Sequence, residues 1–475
     1  MMKFPITAIL IGAGRRGFYV YGNYAIENRK KLKFVAVAEP VNKRRENFAK
    51  LHKIPSDMCF KDWRDILSRE KLAEIAFICT QDQLHAEPTI LALEKGYNVL
   101  LEKPMAHKLS DCIKIVQKVE ETNKILAVSH VLRYTEFFST IYKIINKGLL
   151  GDIINISHRE NISWYHMAHS FVRGPWANVE KSSPMVLSKA CHDLDLLFWM
   201  IGSLPKKISS FGNLLYFRPE NAPIGATKYC LNGCLVRNQC NFYAPRIYID
   251  IVPIIQIMQK GKNRIFKIIG NIRKNYVKLL TILAKLIPSI RRLRYWSEWP
   301  VYYLYTEQEE DYSDQKKLEI LTNSPYGRCV FYCDNNVVDH QVVNIEFENN
   351  VTATFTMHGF SEKEGRTLRI DGTKATLLGE FHDAYKKLIL FNHFSGEKKV
   401  IINQKLSLNT VEHGGGDPKL VDAFLEILKN AKKIQPLTNA RECLESHLMA
   451  FAADESRRKE IVIRMDEFRE KSGLL

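Results

Sequence analysis

Apolar positions in the first 130 residues come as short unbroken runs: Thr7 to Ile11, Phe34 to Ala38, Ile75 to Thr80, Tyr97 to Leu101 and Ile125 to Ser129. They are too short for helices. They are too continuous for strands with one wet face, so they predict strands buried on both sides of a parallel sheet. Lys43 to His52, Glu87 to Lys95 and Ser110 to Thr122 lie between them and read as helices. Alternation of this kind predicts a doubly wound parallel sheet, a Rossmann-type domain over residues 1–130.

After Gly151-Asp152 the pattern changes. Ile153 to His158, Val342 to Phe347, Thr352 to Met357 and Leu368 to Ile370 alternate apolar and polar residues. That is the signature of an antiparallel sheet with one solvated face. Asn349-Asn350 marks a hairpin turn. Helical segments follow at Pro418 to Lys429 and Cys443 to Ala453. Residues 131–475 therefore read as a second, α/β domain for substrate and oligomerisation.

Within it, Ile265, Ile269, Ile272, Tyr276, Leu279, Leu283, Leu286, Ile290 and Leu293 recur at steps of four and three. This predicts an amphipathic helix, ended or kinked at Pro288, inside an insertion around 256–298. The same span explains the charge. Of the formal net charge of +17, Lys260 to Arg294 carries +11 with no Asp or Glu, leaving +6 for everything else. One segment is basic, which argues against a nucleic-acid-binding protein. Packing on its own sheet, contact with another subunit, and contact with an anionic membrane surface over 264–294 all fit the helix.

The 475-residue length, 46% hydrophobic and 25% charged residues describe a globular chain of more than one domain. The N-terminus reads as a first strand, without a signal peptide, and no apolar run is long enough to span a membrane. Ten cysteines in such a chain suggest a reduced setting. The expected location is cytoplasmic, with a peripheral position at the inner membrane face as a variant.

Chemistry enters at Gly12-Ala13-Gly14-Arg15-Arg16-Gly17, a G-x-G-x-x-G after a strand and before a helix. The first glycine permits a tight turn, the second lets a pyrophosphate approach the backbone, and the third lets helix and strand pack closely. Glu39 ends the second strand about 20 residues on, where an acid holds the ribose 2′-hydroxyl. That carboxylate favours NAD, while Arg44 and Arg45 leave NADP open. Thr80 and His85 follow the third apolar strand. Glu102-Lys103-Pro104 follows the fourth, so Lys103 stands at the strand-end rim where such sheets bind ligands.

These features resemble the Gfo/Idh/MocA oxidoreductases, which include glucose–fructose oxidoreductase and inositol dehydrogenase. The resemblance rests on the glycine fingerprint, Thr80 with His85, Glu102-Lys103-Pro104, Gly151-Asp152-Ile153 and Cys191-His192-Asp193-Leu194-Asp195. It implies a second domain built on a large open sheet, one face of which pairs with a partner subunit. It also implies that Lys103 contacts both nicotinamide and substrate, and that His192 is the acid/base for the hydroxyl proton. Gln81 stands where the family has proline. A carboxylate usually precedes the histidine by one turn; here Ser188 is at i−4 and Lys189 at i−3, on what would be the same helix face. Lys189 would lower the pKa of His192.

The expected catalytic pair is thus Lys103 and His192. The expected dinucleotide contacts are Gly12, Gly14, Arg15, Arg16, Gly17, Glu39, Thr80, His85, Glu102 and Lys103. Trp164 to Trp176 concentrates aromatic, histidine and arginine side chains in a loop-like stretch suited to a sugar or polyol. The expected substrate contacts are Arg133, His166, His169, Arg173, Lys189 and Asp195. Cys230, Cys234 and Cys240 could bind zinc, or be three buried thiols. His413 could edge the site, or belong to a flexible glycine loop. The reading is an NAD(P)-dependent dehydrogenase or reductase acting on a sugar, cyclitol or related polyol. Alternatives are an NAD-dependent glycosidase without net redox turnover and a non-catalytic cofactor-binding scaffold at a membrane.

Overall fold

A computed structural model describes residues 5–250, 267–268, 271, 314–382, 385–405, 413–430 and 435–474. Apart from Lys267, Ile268 and Asn271, the expected amphipathic basic helix lies outside the described residues.

The first sheet has six strands: β1 (Ile6–Ile11), β2 (Leu32–Ala38), β3 (Cys59–Phe60), β4 (Ile75–Ile78), β5 (Asn98–Leu101) and β6 (Leu126–Val128). All neighbours are parallel, in the order β3-β2-β1-β4-β5-β6. The direction of winding reverses between β1 and β4, which opens a ligand crevice at their carboxyl ends. Ile9 and Ile11 enter one hydrophobic core while Ala8 and Leu10 enter the other. Both faces of β1 are therefore dry, which is why its apolar run is unbroken.

The second sheet has nine strands: β7 (Ile153–Ser163), β8 (Pro205–Asn213), β9 (His340–Phe347), β10 (Thr352–Ser361), β11 (Gly365–Gly372), β12 (Ala375–His382), β13 (Tyr385–Asn392), β14 (Lys398–Lys405) and β15 (Ile463–Arg464). Their order is β14-β13-β12-β11-β7-β10-β9-β8-β15. Only β7 with β10 is parallel among these pairs. Helices Cys191–Ile201 and Ala440–Lys459 put Leu194, Leu197, Leu444 and Leu448 into a core shared with Ile9, Val99 and Leu101 of the first sheet.

The sheets divide near residue 130, but the chain later returns to the first one. Helix Gly416–Asn430 packs Leu420, Val421 and Phe424 with Ala8, Leu10 and Phe34. Trp164 to Trp176 also differs from the expected loop. Trp164–His166 and Met167–Val172 are helical turns, and Met167, Ala168, Phe171 and Val172 are buried. His169 and Ser170 between them are buried too, so the whole turn is enclosed. No helix among the described residues is long and apolar enough to cross a membrane.

Candidate functional site

The glycine loop after β1 has three distinct environments. Gly12 has φ +94°, and a Cβ there would lie 2.5 Å from the Cys79 carbonyl oxygen. A Cβ on Gly17 would lie 2.1 Å from the Gly12 carbonyl oxygen. A Cβ on Gly14 would meet nothing within 4 Å, so open space lies above this glycine alone of the three. A helical segment begins directly after it, at Arg15, and helix N-termini favour phosphate groups. Glu39, buried at the end of β2, accepts from Ala13 N at 2.7 Å and Val41 N at 3.1 Å. Its carboxylate thus lies against the loop, with Arg44 4.0 Å away. An open glycine cradle with an adjacent fixed carboxylate fits a dinucleotide.

Lys103 follows β5. Its Nζ donates to the Ser188 carbonyl at 2.8 Å, across to the second domain. The turn holding it is clamped twice. Met105 N donates to His447 Nε2 at 2.9 Å, and His447 Nδ1 lies 2.7 Å from the Cys443 carbonyl. The carbonyl requires a proton on Nδ1, so Nε2 is the acceptor and the ring is neutral. Burial, with the charge of His130 adding to it, drives the His447 pKa down to about 3. His85 lies 2.7 Å from the Pro104 carbonyl and 3.1 Å from the Thr80 carbonyl, tying the ends of β4 and β5 together.

Beneath Lys103, Glu102 accepts from Arg16 Nε and the Tyr21 hydroxyl, each at 2.6 Å. Burial would raise its pKa, but Arg16 and Tyr21 hold it below the ordinary glutamate value. Arg16 also pairs with Asp417 from the helix Gly416–Asn430. The Arg16 and Glu102 side chains, both expected at the dinucleotide, therefore meet each other.

His192 lies in the first turn of the helix Cys191–Ile201 and is 5% exposed. Its ring is 5.4 Å from that of His130 and 5.9 Å from that of His413, centroid to centroid. Nδ1 is sealed from solvent and from partners. Burial pushes its pKa well below the usual histidine value, and the charges of Lys103 and Arg366 push the same way, as would a proton on His130 or His413. His192 is a neutral imidazole at neutral pH, ready to accept a proton. Lys189 is not the cause. Ser188 ends a separate short helix, Met185–Ser188, and Lys189 turns away to Glu364 at 2.9 Å and Glu160 at 3.1 Å.

Two comparisons bear on this geometry. Residues 6–130 match the description "Oxidoreductase family, NAD-binding Rossmann fold". Residues 302–464 match "Oxidoreductase family, C-terminal alpha/beta domain" of the same group. The chain belongs to the Gfo/Idh/MocA oxidoreductase family. It is an NAD-binding enzyme of that family.

Family relatives are distant. A Bacillus subtilis (strain 168) protein named "Putative oxidoreductase YteT" is 22% identical over 376 residues, covering 77% of this chain and 75% of that protein. The scyllo-inositol 2-dehydrogenase (NAD(+)) of the same organism is 22% identical over 216 residues, 45% of this chain and 59% of that enzyme. Among solved structures, levoglucosan dehydrogenase in complex with NADH superposes with a TM-score of 0.62 at 14% identity, covering 97% of this chain and 99% of the other.

Several expected substrate contacts of this Gfo/Idh/MocA chain have partners inside the protein. Arg133 is 1% exposed and makes a bidentate pair with Asp195 at 2.7 and 2.8 Å; it also donates to the Leu437 carbonyl. Arg173 donates to the carbonyls of Arg328 and Phe242. His169 is buried, stacked on Tyr326 with centroids 5.0 Å apart. His166 and Lys189 instead converge on Glu364, each at 2.9 Å. Lys189 and Glu364 are each 17% exposed at the side chain and His166 31%, so this trio is less enclosed than Arg133.

The three cysteines read as zinc ligands or buried thiols are free thiols in this structure. Among the described residues, the only assembled group of metal-capable atoms is His130, Asp195 and Cys443, not Cys230, Cys234 and Cys240. Cys230 Sγ accepts from Ala244 N at 3.5 Å and lies 3.7 Å from Arg173 Nη2, a cationic setting that disfavours a metal ion.

His447, Glu364 and Glu160 were missed. A signal existed for Glu160. His158 and Glu160 fall two apart on one face of β7, where alternation calls for apolar residues, and both are buried. Glu160 pairs with Arg366 at 2.8 Å, and His158 lies 2.7 Å from Asp193.

Proposed function

We propose that this protein is an NAD(P)-dependent dehydrogenase that interconverts a hydroxyl and a carbonyl on a sugar, cyclitol or related polyol. Bound NAD supplies the hydride acceptor, or the donor in reverse. Gly12, Gly14 and Gly17 shape its cradle and Glu39 holds its ribose. Lys103 orients the reacting oxygen through its ammonium, and His192 takes the proton from that oxygen or returns it. His166, Lys189 and Glu364 supply donors and an acceptor for neighbouring hydroxyls. The names of the inositol and levoglucosan dehydrogenases among its relatives support the substrate class.

The observation that carries this reading is the approach of Lys103 to the His192 segment. The two come from different domains, yet Lys103 Nζ is bonded to the backbone four residues before His192, and its charge is the leading one acting on that imidazole. The test is NADH formation from NAD+ across a panel of inositols, aldoses, anhydrosugars and uronic acids. Turnover of a member of the panel, reduced about 100-fold or more in both Lys103→Met and His192→Ala, supports the reading. Equal rates in those variants and the wild type reject it. Release of a sugar from a glycoside with no net NADH would point to the glycosidase alternative.

A further inference from the structure

His192 is 5% exposed, so the proton it receives needs a carrier to reach solvent. Its Nδ1 is sealed, and the neighbouring His130 is fully buried with both ring nitrogens unpartnered. Lys103 Nζ already holds the Ser188 carbonyl. The Ser188 hydroxyl, four residues earlier, donates to the Pro184 carbonyl at 3.3 Å and so leads no proton away. One titratable ring beside His192 does reach solvent. His413, 5.9 Å away between centroids, has a side chain 36% exposed.

We propose that His413, oriented by Asp417, is the proton exit of this active site. The inference rests on His192 being the acid/base.

The geometry of His413 is that of a backed imidazole. Its Nδ1 lies 3.1 Å from Asp417 Oδ2, one helical turn on. Arg16 Nη1 also approaches Nδ1, at 3.5 Å. One nitrogen cannot both donate to the carboxylate and accept from the guanidinium. The shorter contact to an ionised, buried acceptor decides for donation. Asp417 is 4% exposed, and although burial would raise its pKa, Arg16 and His413 hold it below the ordinary aspartate range. With Nδ1–H committed, Nε2 of His413 carries the lone pair.

The ring is also held in place. Lys386 donates to the Gly414 carbonyl at 3.2 Å, and a Cβ on Gly414 would lie 2.5 Å from the Phe381 ring. Gly414 and Gly415 have φ of +63° and +83°, a turn that other residues adopt only with strain. This loop is therefore packed against β12 and β13, not the flexible linker its three glycines suggest.

The step is a proton transfer only. The substrate O–H bond breaks and His192 gains the proton. His192 passes it through water to Nε2 of His413, and His413 releases it to bulk water. In carbonyl reduction the order reverses. Each imidazole ends as it began.

The test uses the full-length protein labelled with 15N-histidine, and two variants. Asn tolerates the left-handed backbone at position 413, where φ is +40°, and keeps an amide donor for Asp417. His413→Asn should bind NADH with unchanged fluorescence enhancement while kcat, on a polyol the wild type turns over, falls about 100-fold with KM within twofold. His413→Ala should fall equally and recover on adding imidazole to the medium, which a purely structural residue would not do. Independently of any substrate, the His413 ring in the wild type should show the Nδ1–H tautomer by 15N NMR. An Nε2–H tautomer, kcat within twofold of wild type in His413→Asn, or a loss in His413→Ala that imidazole does not restore, overturns the inference. Normal turnover in His192→Ala overturns it together with the parent reading; a dead His192→Ala beside a normal His413→Asn overturns this inference alone.

Discussion

The ammonium of Lys103 is held by the backbone carbonyl of Ser188 at 2.8 Å. Lysine at a strand end of one domain is thereby fixed by the main chain of the other, without a carboxylate at this contact. The charge on Lys103 stays unneutralised there and bears on His192, whose pKa burial has already lowered. The site is set for a cationic lysine beside a neutral imidazole.

Ser188→Asp should reverse part of that setting. An added negative charge on the residue whose carbonyl holds Lys103, four residues before His192, favours the imidazolium, so the His192 pKa should rise. The acid limb of the kcat/KM–pH profile should move to higher pH by about one unit. A limb that stays in place would show that His192 is not the titrating base.

Gly14 and Gly17 should separate binding from folding. The space above Gly14 and its negative φ of −73° admit a methyl group, so Gly14→Ala should melt within about 0.5 kcal/mol of the wild type while losing NAD affinity. Gly17→Ala would press a methyl onto the Gly12 carbonyl and should cost about 3 kcal/mol of stability. Urea unfolding and NADH fluorescence titration on both variants check this. Unchanged affinity in Gly14→Ala would remove the cradle from the argument.

Arg133 and Asp195 should behave as structure. Asp195→Ala leaves a buried guanidinium short of its bidentate partner and should cost about 3–5 kcal/mol in denaturant unfolding. In whatever fraction remains folded, KM should change little. A raised KM with unchanged stability would return the pair to the substrate site.

Acid should destabilise the protein through its buried histidines. Burial lowers His52 to about 4 and His447 to about 3, and pushes His130 and His192 down as well. Below the unfolded histidine value near 6.5 the unfolded chain binds protons that the folded one refuses, so stability rises with pH. It is full above about pH 7 and is lost progressively from about pH 6.5 down towards pH 3–4. Near pH 5.5 the slope should reach at least about 1.4 kcal/mol per pH unit, one proton's worth. Unfolding free energies at several pH values test this, and a flat profile between pH 7 and pH 5 would contradict the neutral, buried rings.

Local pattern determined much of this protein. The unbroken runs at β1 and β4, the alternation in β9 and β10, and the three glycines of the fingerprint are each fixed by their near neighbours in the chain. Solvation of a strand face and backbone sterics act over a few residues, so these features are legible without coordinates. Lys103 was legible for the same reason, as the residue following a buried strand.

Partnership was decided only by the tertiary structure. Arg133 and Arg173 read like ligands for a hydroxylated substrate, but their partners, Asp195 and the carbonyls of Phe242 and Arg328, lie 62, 69 and 155 residues away. His447 clamps Met105 across 342 residues, and His413 reaches His192 from the far end of the chain. A side chain's charge and hydrogen-bonding capacity are written in its identity. Whether they face solvent, substrate or another buried group depends on which distant segment packs against it, and no local spacing encodes that.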